Sequence, residues 1–317
     1  MARPQVSKSP LLRIGARGSR LSLIQAGQMQ RAIAAALGIA PDEAEAAVPI
    51  VVITTTGDRV QDRRLLEIGG KALFTKEIEE ALIAGHVDCA VHSMKDVPAE
   101  RQPGLVIAAT PEREDVRDAF LSLNHADIAS LPQGARLGTA SLRRQAQALH
   151  IRPDLEPVLV RGNVDTRLAK LADGAADAMI LALSGLKRMG LQDHARSLID
   201  PIEAPPAPGQ GALAVETREA DAETVWARAL NHPPSALTVA AERGALEALE
   251  GSCRTAMGAH ARLVGDRLKL VVEALTPDGA QRFRREGDCA PNAADARAFG
   301  RELGEAVKAE GGDRLVL

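Results

Sequence analysis

The chain has 317 residues, more than a single hydrophobic core usually serves, so we expect two or three domains. Hydrophobic residues make up 45% and charged residues 26%, as in ordinary globular proteins, whereas aromatic residues make up only 2%. The shortage of aromatic side chains argues against a base-stacking surface, and the net charge of -3 argues against a large nucleic-acid interface. A strongly basic site must therefore be local.

The N-terminal sequence and the cysteines predict a cytoplasmic protein. Residues 1–10 contain Arg3 and Lys8, but no apolar segment of signal-peptide character follows, and no stretch is long enough to span a membrane. Cys89, Cys253 and Cys289 lie far apart without the spacing of metal ligands. We therefore expect no metal site and no disulfide framework, and at least one free, reactive thiol.

Short apolar strands alternate with amphipathic helices in the first two thirds of the chain. The predicted strands are 11–14, 48–53, 87–91, 119–123, 155–160 and 178–183. The predicted helices are 21–37, 74–84, 141–150 and 164–171. This alternation, which restarts after the polar stretch 111–118, predicts two α/β lobes with mostly parallel sheets. Ligands of such sheets collect at the carboxyl ends of the strands.

The last third of the chain has a different order of predicted elements. Residues 201–211 are too rich in proline and glycine for a helix or strand interior and are predicted to cross between the lobes. A helix at 236–249, a hairpin of 268–275 and 281–286, and a helix at 293–308 follow. They predict a small α+β domain.

Cationic side chains follow strands or open helices in the predicted second lobe. They are Arg143, Arg144, Arg161, Arg167, Lys187 and Arg188. Ser141 can cap a helix whose free N–H groups would bind an anion together with the arginines, and bidentate recognition of carboxylates is the natural use of such forks. A solvated surface is the more common interpretation of any one of these arginines taken alone, but together they fit it poorly. A phosphate ligand also stays open, although no GxxxxGK[ST] loop occurs.

The first lobe offers two further candidate sites. Lys95 and Asp96 follow a predicted strand, where the chemistry of such sheets is usually located, although they could instead form a structural ion pair. Arg17 and Ser19 follow the first strand and could form an anion-binding turn or a simple helix cap. Lys71 and Lys76 are more typical of a mobile loop or a helix face.

The three cysteines differ in their surroundings. Cys89 lies within an apolar strand and is predicted to be core, and Cys289 lies in a polar turn near the C-terminal end. Cys253 follows a helix in a Gly-Ser-Cys-Arg loop, where exposure and Arg254 would favour the thiolate. A buried structural thiol is the alternative for Cys253.

Segments spread over nearly the whole chain resemble those of the hydroxymethylbilane synthases (porphobilinogen deaminases). In chain order they read LRIGARGSRLSL, GGKALFTKEIEEAL, AVHSMKDVP, EREDVRDAF, GTASLRRQ, RGNVDTRL, GLKRMGL, APGQGAL and the GSC loop. GQG or RGN alone is weak, but HSMKDVP, SLRRQ and RGNVDTR in the expected order are highly specific. Two departures are Ala140, where this family often has serine, and Arg254-Thr255-Ala256, which lacks a frequent proline.

The resemblance implies an α/β fold with two lobes like those of periplasmic binding proteins. Their mixed, mostly parallel sheets would face a cleft, and a small α+β C-terminal domain would follow. The expected bounds are 11–111 with 212–230 for the first lobe, 117–204 for the second and 234–317 for the third domain. The resemblance also implies a monomer, with no nucleic-acid or membrane partner.

The resemblance further implies a dipyrromethane cofactor attached to Cys253 through a thioether, and a catalytic carboxylate, Asp96. The residues implied to hold the cofactor are Lys95, Ser141, Arg143, Arg144 and Arg167, with Thr139 and Gln210 as secondary members of the same wall. Those implied to grip porphobilinogen are Arg17, Ser19, Arg161 and Arg188.

The implied activity is the deamination and head-to-tail joining of four porphobilinogen molecules through linear oligopyrrole intermediates, with hydrolytic release of hydroxymethylbilane. A chain of six rings would carry on the order of a dozen carboxylates, which agrees with a local concentration of arginines. A non-enzymatic two-lobed anion-binding protein is the main rival, and it leaves Cys253 unexplained. A phosphate-handling transferase is a weaker alternative.

Overall fold

The computed structural model describes residues 10–59, 73–249 and 255–316. Within these ranges the strands form two five-stranded sheets and one three-stranded sheet. None of the described helices is long and apolar enough to cross a membrane.

The first sheet belongs to the N-terminal lobe. Its strands are β1 (Ile14–Ala16), β2 (Ile50–Val52), β3 (Cys89–Ser93), β4 (Leu105–Ala109) and β10 (Leu213–Arg218), in the order β2-β1-β3-β10-β4. The helices of this lobe are α1 (Arg20–Ala36), α2 (Ala44–Ala47), α3 (Thr56–Arg59), α4 (Lys76–Ile83) and α8 (Val225–Leu230). Ala26, Met29 and Ile33 form the buried stripe of α1 that packs on the sheet, as its helical spacing predicts.

The second sheet repeats this plan in the middle lobe. Its strands are β5 (Asp118–Leu121), β6 (Arg136–Gly138), β7 (Glu156–Val158), β8 (Ala178–Ala182) and β9 (Ser197–Leu198), in the order β7-β6-β8-β5-β9. The helices are α5 (Leu142–Ile151), α6 (Val164–Ala172) and α7 (Leu183–Arg188).

The two lobes exchange strands through two crossing segments. Residues 110–117 lead from β4 to β5, and residues 199–212 lead from β9 to β10. In each sheet one strand runs against the other four, β10 in the first and β5 in the second. Each reversed strand is the first after a crossing. The carboxyl ends of the remaining strands therefore face the cleft between the lobes.

The C-terminal domain consists of two helices on an antiparallel sheet. Its elements are α9 (Pro233–Ala248), β11 (Met257–Val264), β12 (Arg267–Leu275), β13 (Arg282–Cys289) and α10 (Ala293–Gly311). A core of mostly small and aliphatic side chains, with Phe283, joins the helices to the sheet. The predicted hairpin is confirmed, because β12 and β13 pair in antiparallel register.

The fold class predicted from the sequence is confirmed, while several element bounds differ. The first strand was predicted at 11–14 and is found at Ile14–Ala16. Leu12 is buried like a strand residue, but the backbone N–H groups of Leu11 and Leu12 both donate to the carbonyl of Ala47 before β1 begins. The third is displaced in the same way, from 87–91 to Cys89–Ser93. The strands β4, β6, β9, β10 and β11 were not predicted.

The cysteine predictions have different outcomes. Cys89 is fully buried in the core, as predicted, and burial raises the pKa of its thiol. The prediction that Cys289 lies in a turn is wrong: it is the last residue of β13, paired with Leu268 and partly buried against the C-terminal core. Cys253 lies outside the described residues.

The helices α9 and α10 approach so closely that only glycine fits at their contact. A Cβ atom at Gly300 would collide with the carbonyl of Ala241, and one at Gly244 would collide with the carbonyl of Arg297. We expect Gly300→Ala to lower the free energy of unfolding by about 1–3 kcal/mol, because the helices must separate. Urea denaturation followed by circular dichroism measures this change.

The matched control is Gly27→Ala in α1, where the new methyl group meets only the guanidinium end of Arg31 at 3.5 Å. Alanine should stabilise that helix interior by up to about 1 kcal/mol. Equal stability of the two variants would contradict the close helix contact.

Candidate functional site

A cavity of about 1400 Å³ lies between the two lobes and reaches the C-terminal domain. It brings together most of the side chains singled out in the sequence. Those lining it are Arg17, Ser19, Lys95, Asp96, Ser141, Arg143, Arg144, Arg161, Arg167, Arg188 and Gln210. Cys253, Arg254 and Lys71 lie outside the described residues, but Ala248 and Thr255, on either side of residues 250–254, also line the cavity.

Asp96 and Lys95 lie in a 3-10 turn, Met94–Asp96, that ends β3. The turn is held by buried Met94, whose N–H donates to the carbonyl of Ala212 at 3.0 Å. Burial and the cation of Arg144 lower the pKa of Lys95 to about 8, although Asp96 opposes this shift. Lys95 Nζ donates to Gln210 Oε1 at 3.3 Å, and no direct ion pair joins Lys95 to Asp96 among the described contacts. The structure therefore does not favour the structural ion pair considered for these two residues.

The start of α5 places two arginines on the opposite wall. Ser141 is the N-cap, as predicted, and accepts a hydrogen bond from the N–H of Arg144 at 3.4 Å. The N–H of Ser141 donates to Thr139 Oγ1 at 3.0 Å, and Thr139 is not among the residues that line the cavity. Thr139 thus supports the turn from behind. Arg143 and Arg144 are only 4% and 6% exposed.

Sequence reasoning missed Asp118, the carboxylate that pairs with both arginines. Its Oδ2 accepts from Arg143 at 2.8 Å and its Oδ1 from Arg144 at 2.7 Å. Burial alone would raise the pKa of Asp118, but the two cations hold it well below its usual range. An aspartate opening the apolar strand Asp118–Leu121 was the available signal, because a buried carboxylate needs a cationic partner.

Gln210 joins the two lobes at the base of the cavity. Its side chain is fully buried, and Nε2 donates to the carbonyl of Val116 at 2.8 Å and to Asp118 Oδ1 at 2.9 Å. Its Oε1 accepts from Lys95 and, at 3.4 Å, from Arg144. Its place in the predicted wall is thus supported by four hydrogen bonds.

The start of α6 contributes another pair of arginines. Asn163 caps this helix by accepting from the N–H of Thr166 at 2.8 Å. Arg167 Nε donates to the carbonyl of Gly162 at 2.9 Å. Burial, followed by the cations of Arg144 and Arg161, lowers the pKa of Arg167 to about 10. Arg167 is one of eight cationic side chains that line the cavity, against five carboxylates, so its walls carry a net positive charge.

Arg188 also lies on the cavity wall, whereas Lys187 and Lys76 do not. Arg188 donates to the carbonyl of Gly211 at 2.8 Å, and burial lowers its pKa. Lys187 is exposed and paired with Glu114 at 2.9 Å, so the solvated-surface alternative holds for this residue. Lys76 is also exposed and away from the cavity, 3.9 Å from Glu80.

Arg17 is held in place by two residues that sequence reasoning missed. Its guanidinium is paired with Asp58 and lies over the ring of Phe74, 4.2 Å from the ring centre. Asp58 also accepts from Thr55 Oγ1 at 2.8 Å. Ser19 is the N-cap of α1, so the helix-cap interpretation of this turn is confirmed, and it lines the cavity as well. The site as a whole is suited to a ligand with several carboxylates.

Comparisons with known proteins identify the family of this chain. Residues 12–225 match the family model described as porphobilinogen deaminase, dipyrromethane cofactor binding domain, and residues 236–309 match porphobilinogen deaminase, C-terminal domain. A porphobilinogen deaminase of Caulobacter vibrioides is 64% identical over 98% of this chain and 99% of that protein. Those of Phenylobacterium zucineum and Paracoccus denitrificans are 65% and 51% identical, over 97% and 94% of this chain and 99% and 93% of theirs.

Among solved structures, a periplasmic substrate-binding protein of an ABC transporter from Coxiella burnetii is 14% identical, with a TM-score of 0.43. The superposition covers 69% of this chain and 90% of that chain. Since two family models together span most of the chain and full-length relatives exceed 60% identity, this chain belongs to the porphobilinogen deaminase family.

Proposed function

We propose that the chain deaminates four porphobilinogen molecules, joins them head to tail on a dipyrromethane cofactor and releases linear hydroxymethylbilane by hydrolysis. The observation that carries this proposal is a cavity whose lining brings cationic side chains of both lobes together with Asp96. Mixing the purified protein with porphobilinogen and measuring ammonia and linear tetrapyrrole tests it directly. A non-enzymatic anion-binding protein would release neither.

The residues present fit a dipyrromethane group. Its carboxylates need cations that are close together and shielded from water. Burial and neighbouring cations are also what lower the pKa values of Lys95 and Arg167. We assign cofactor binding to Lys95, Ser141, Arg143, Arg144 and Arg167, with Thr139 and Gln210 behind them. We assign binding of the incoming porphobilinogen to Arg17, Ser19, Arg161 and Arg188. Attachment to Cys253 is supported by the cavity-lining residues Ala248 and Thr255 that flank its segment.

Asp96 is the carboxylate best placed for the chemistry. When bound, the cofactor supplies the pyrrole carbon on which the product chain grows. Departure of ammonia from the aminomethyl group leaves positive charge on the substrate pyrrole, and the fixed carboxylate of Asp96 stabilises that charge. The same oxygens can accept and return the proton that each round displaces. The arginines orient the substrate through its acetate and propionate groups.

The proposal also covers the domain bounds, the oligomeric state and the location of the protein. We assign residues 11–111 with 212–230 to the first lobe, 117–204 to the second and 234–317 to the cysteine-bearing domain. The two crossing segments support the first two of these bounds. We also propose that the protein is a monomeric cytoplasmic enzyme without a nucleic-acid or membrane partner. The monomer is supported by the cavity, whose lining residues come from the two lobes and the third domain of one chain.

Cys253→Ala should abolish the covalent adduct and nearly all turnover, because a thiolate at this position attaches the cofactor. Intact-protein mass spectrometry should show that the parent protein is heavier than its sequence and that the variant is not. The control is Cys289→Ala, which changes a thiol on β13 and should keep both adduct and turnover. A fully active parent protein with unmodified mass would disprove the attachment.

Asp96→Asn should lower turnover by at least about a hundredfold, because it removes the charge that stabilises a cationic pyrrole and the group that carries its protons. Steady-state ammonia release measures this, and the intact mass should still include the adduct. The matched control is Asp88→Asn at the opposite end of β3, where the carboxylate pairs with Arg13 at 2.9 Å. Parental turnover in Asp96→Asn would require another proton carrier.

Arg144→Ala should impair both cofactor loading and catalysis, since a buried, charge-assisted contact to a carboxylate contributes about 1.5–3 kcal/mol, roughly ten- to a hundredfold. Arg161→Ala should mainly raise KM for porphobilinogen. Adduct mass and steady-state kinetics separate these effects. Arg136→Ala, which removes an ion pair with Asp177 at the other end of β6, serves as the control. Parental adduct and kinetics in both cavity variants would show that these arginines do not bind the ligands.

A further inference from the structure

Asp118 is a buried carboxylate at the junction of the lobes that the proposed chemistry does not use. It is the first residue of β5, directly after the first crossing segment, and is 4% exposed. Its side chain is not among those that line the cavity. The carboxylate therefore acts on any ligand only through its neighbours.

We propose that Asp118 is a positioning residue that holds Arg143 and Arg144 against the cavity and, through Gln210, controls the environment of Lys95. This inference rests on the proposed function, since it concerns the same site.

The first support is the geometry of the two arginines. Arg143 and Arg144 are neighbours in sequence, and both are buried, so their charges would repel each other without an intervening anion. Asp118 separates them: Oδ2 accepts from Arg143 at 2.8 Å, and Oδ1 accepts from Arg144 Nη2 at 2.7 Å and from its Nε at 3.2 Å. One carboxylate for two guanidinium groups leaves a net positive charge, which an anionic ligand can neutralise.

The second support is the orientation of Gln210. Both protons of its amide are used, one by the carbonyl of Val116 and one by Asp118 Oδ1. The amide oxygen must then face the other way, where it accepts from Lys95 at 3.3 Å and Arg144 at 3.4 Å. Asp118 thereby fixes the acceptor that locates the ammonium group of Lys95 across the cleft.

The third support is electrostatic. The charged groups that face Lys95 are Asp96 on its own turn, Arg143 and Arg144 on α5, and Asp118 on β5. Burial and Arg144 lower the pKa of Lys95 to about 8, while Asp96 and then Asp118 oppose this shift. Neutralising Asp118 would therefore lower the pKa of Lys95 further, and less of the ammonium form would remain near pH 8.

The test is Asp118→Asn in the cofactor-loaded protein, with loading verified by intact mass. Asparagine cannot accept from both arginines and Gln210 at once, so kcat for ammonia release should fall at least about tenfold. KM for porphobilinogen should change less than about threefold, because Asp118 pairs with Arg143 and Arg144, which are assigned to the cofactor. The alkaline limb of the pH-rate profile should move to lower pH, so the loss of activity should be greater at pH 8.5 than at pH 6.5.

The controls separate a positioning role from a merely structural one. Asp177→Asn removes another arginine-paired carboxylate of the same lobe, 2.8 Å from Arg136, and should leave kcat and the alkaline limb unchanged. Asp118→Glu retains the charge, so its alkaline limb should stay at the parental pH even if kcat falls. A loss of kcat in Asp118→Asn that is equal at all pH values would overturn the proposal.

A second variant covers the case in which Asp118→Asn does not fold or does not load. Gln210→Met keeps the volume but removes the acceptor of Lys95, so it should move the alkaline limb in the same direction. If the alkaline limb of the pH-rate profile of Gln210→Met stays at the parental pH, the proposal is overturned. Lack of turnover in the parent protein would instead refute the proposed function, so the two failures are distinguishable.

Discussion

A buried ion pair between Arg113 and Glu242 joins the three parts of the chain on which the site depends. Arg113 lies in the first crossing segment, and Glu242 lies on α9 of the C-terminal domain; two parallel hydrogen bonds of 2.8 Å connect them. Glu242 also accepts from the N–H of Gly209 at 2.7 Å, in the second crossing segment, and from the N–H of Ala261 at 2.9 Å, on β11. A single carboxylate thus connects both crossings to the third domain.

The electrostatics of this pair explain why it can be buried. Burial alone would raise the pKa of Glu242, but the charge of Arg113 and hydrogen bonding hold it at about 2. Arg113 makes two further contacts, donating from Nε to the carbonyl of Gln210 and from its backbone N–H to Ser235 Oγ, each at 2.9 Å. Removing one partner of such a pair leaves an uncompensated buried charge, so the junction tolerates little change. The backbone of Gln210 is fixed here, and its side chain is thereby held at the base of the cavity.

The helices and the cationic wall could be predicted from the sequence because their signals are local. Ser141 and Asn163 cap the helices that carry Arg144 and Arg167, and each cap is three residues or fewer from the group that it satisfies. The carboxylates that organise these cations could not be predicted in the same way. Asp118 is 25 and 26 residues from Arg143 and Arg144, and Glu242 is 129 residues from Arg113. A single sequence contains no pattern that pairs such distant positions.

One of the missed strands, β10, has a similar explanation. The strand β10 reads Leu-Ala-Val-Glu-Thr-Arg, and its Glu216 is 1% exposed, so its apolar pattern is interrupted by a carboxylate that only the tertiary structure accommodates. In the folded protein Glu216 Oε2 lies 3.2 Å from Nε2 of His92 on the neighbouring strand β3. The resemblance to a known family assigned residues 212–230 to the first lobe, whereas periodicity alone did not identify this strand.

The third domain also fixes the turn that carries Asp96. Arg243, the residue after Glu242, donates to the carbonyls of Val97 and Pro98 at 3.1 and 2.6 Å, and burial lowers its pKa to about 10. Met94 anchors the other side of the same turn on Ala212. Consecutive residues on an α-helix point about 100° apart, so Glu242 can face the crossing segments while Arg243 faces the Asp96 turn. Any shift of α9 would therefore move the junction of the lobes and the Asp96 turn together, which makes this helix the element that couples domain arrangement to the reacting carboxylate.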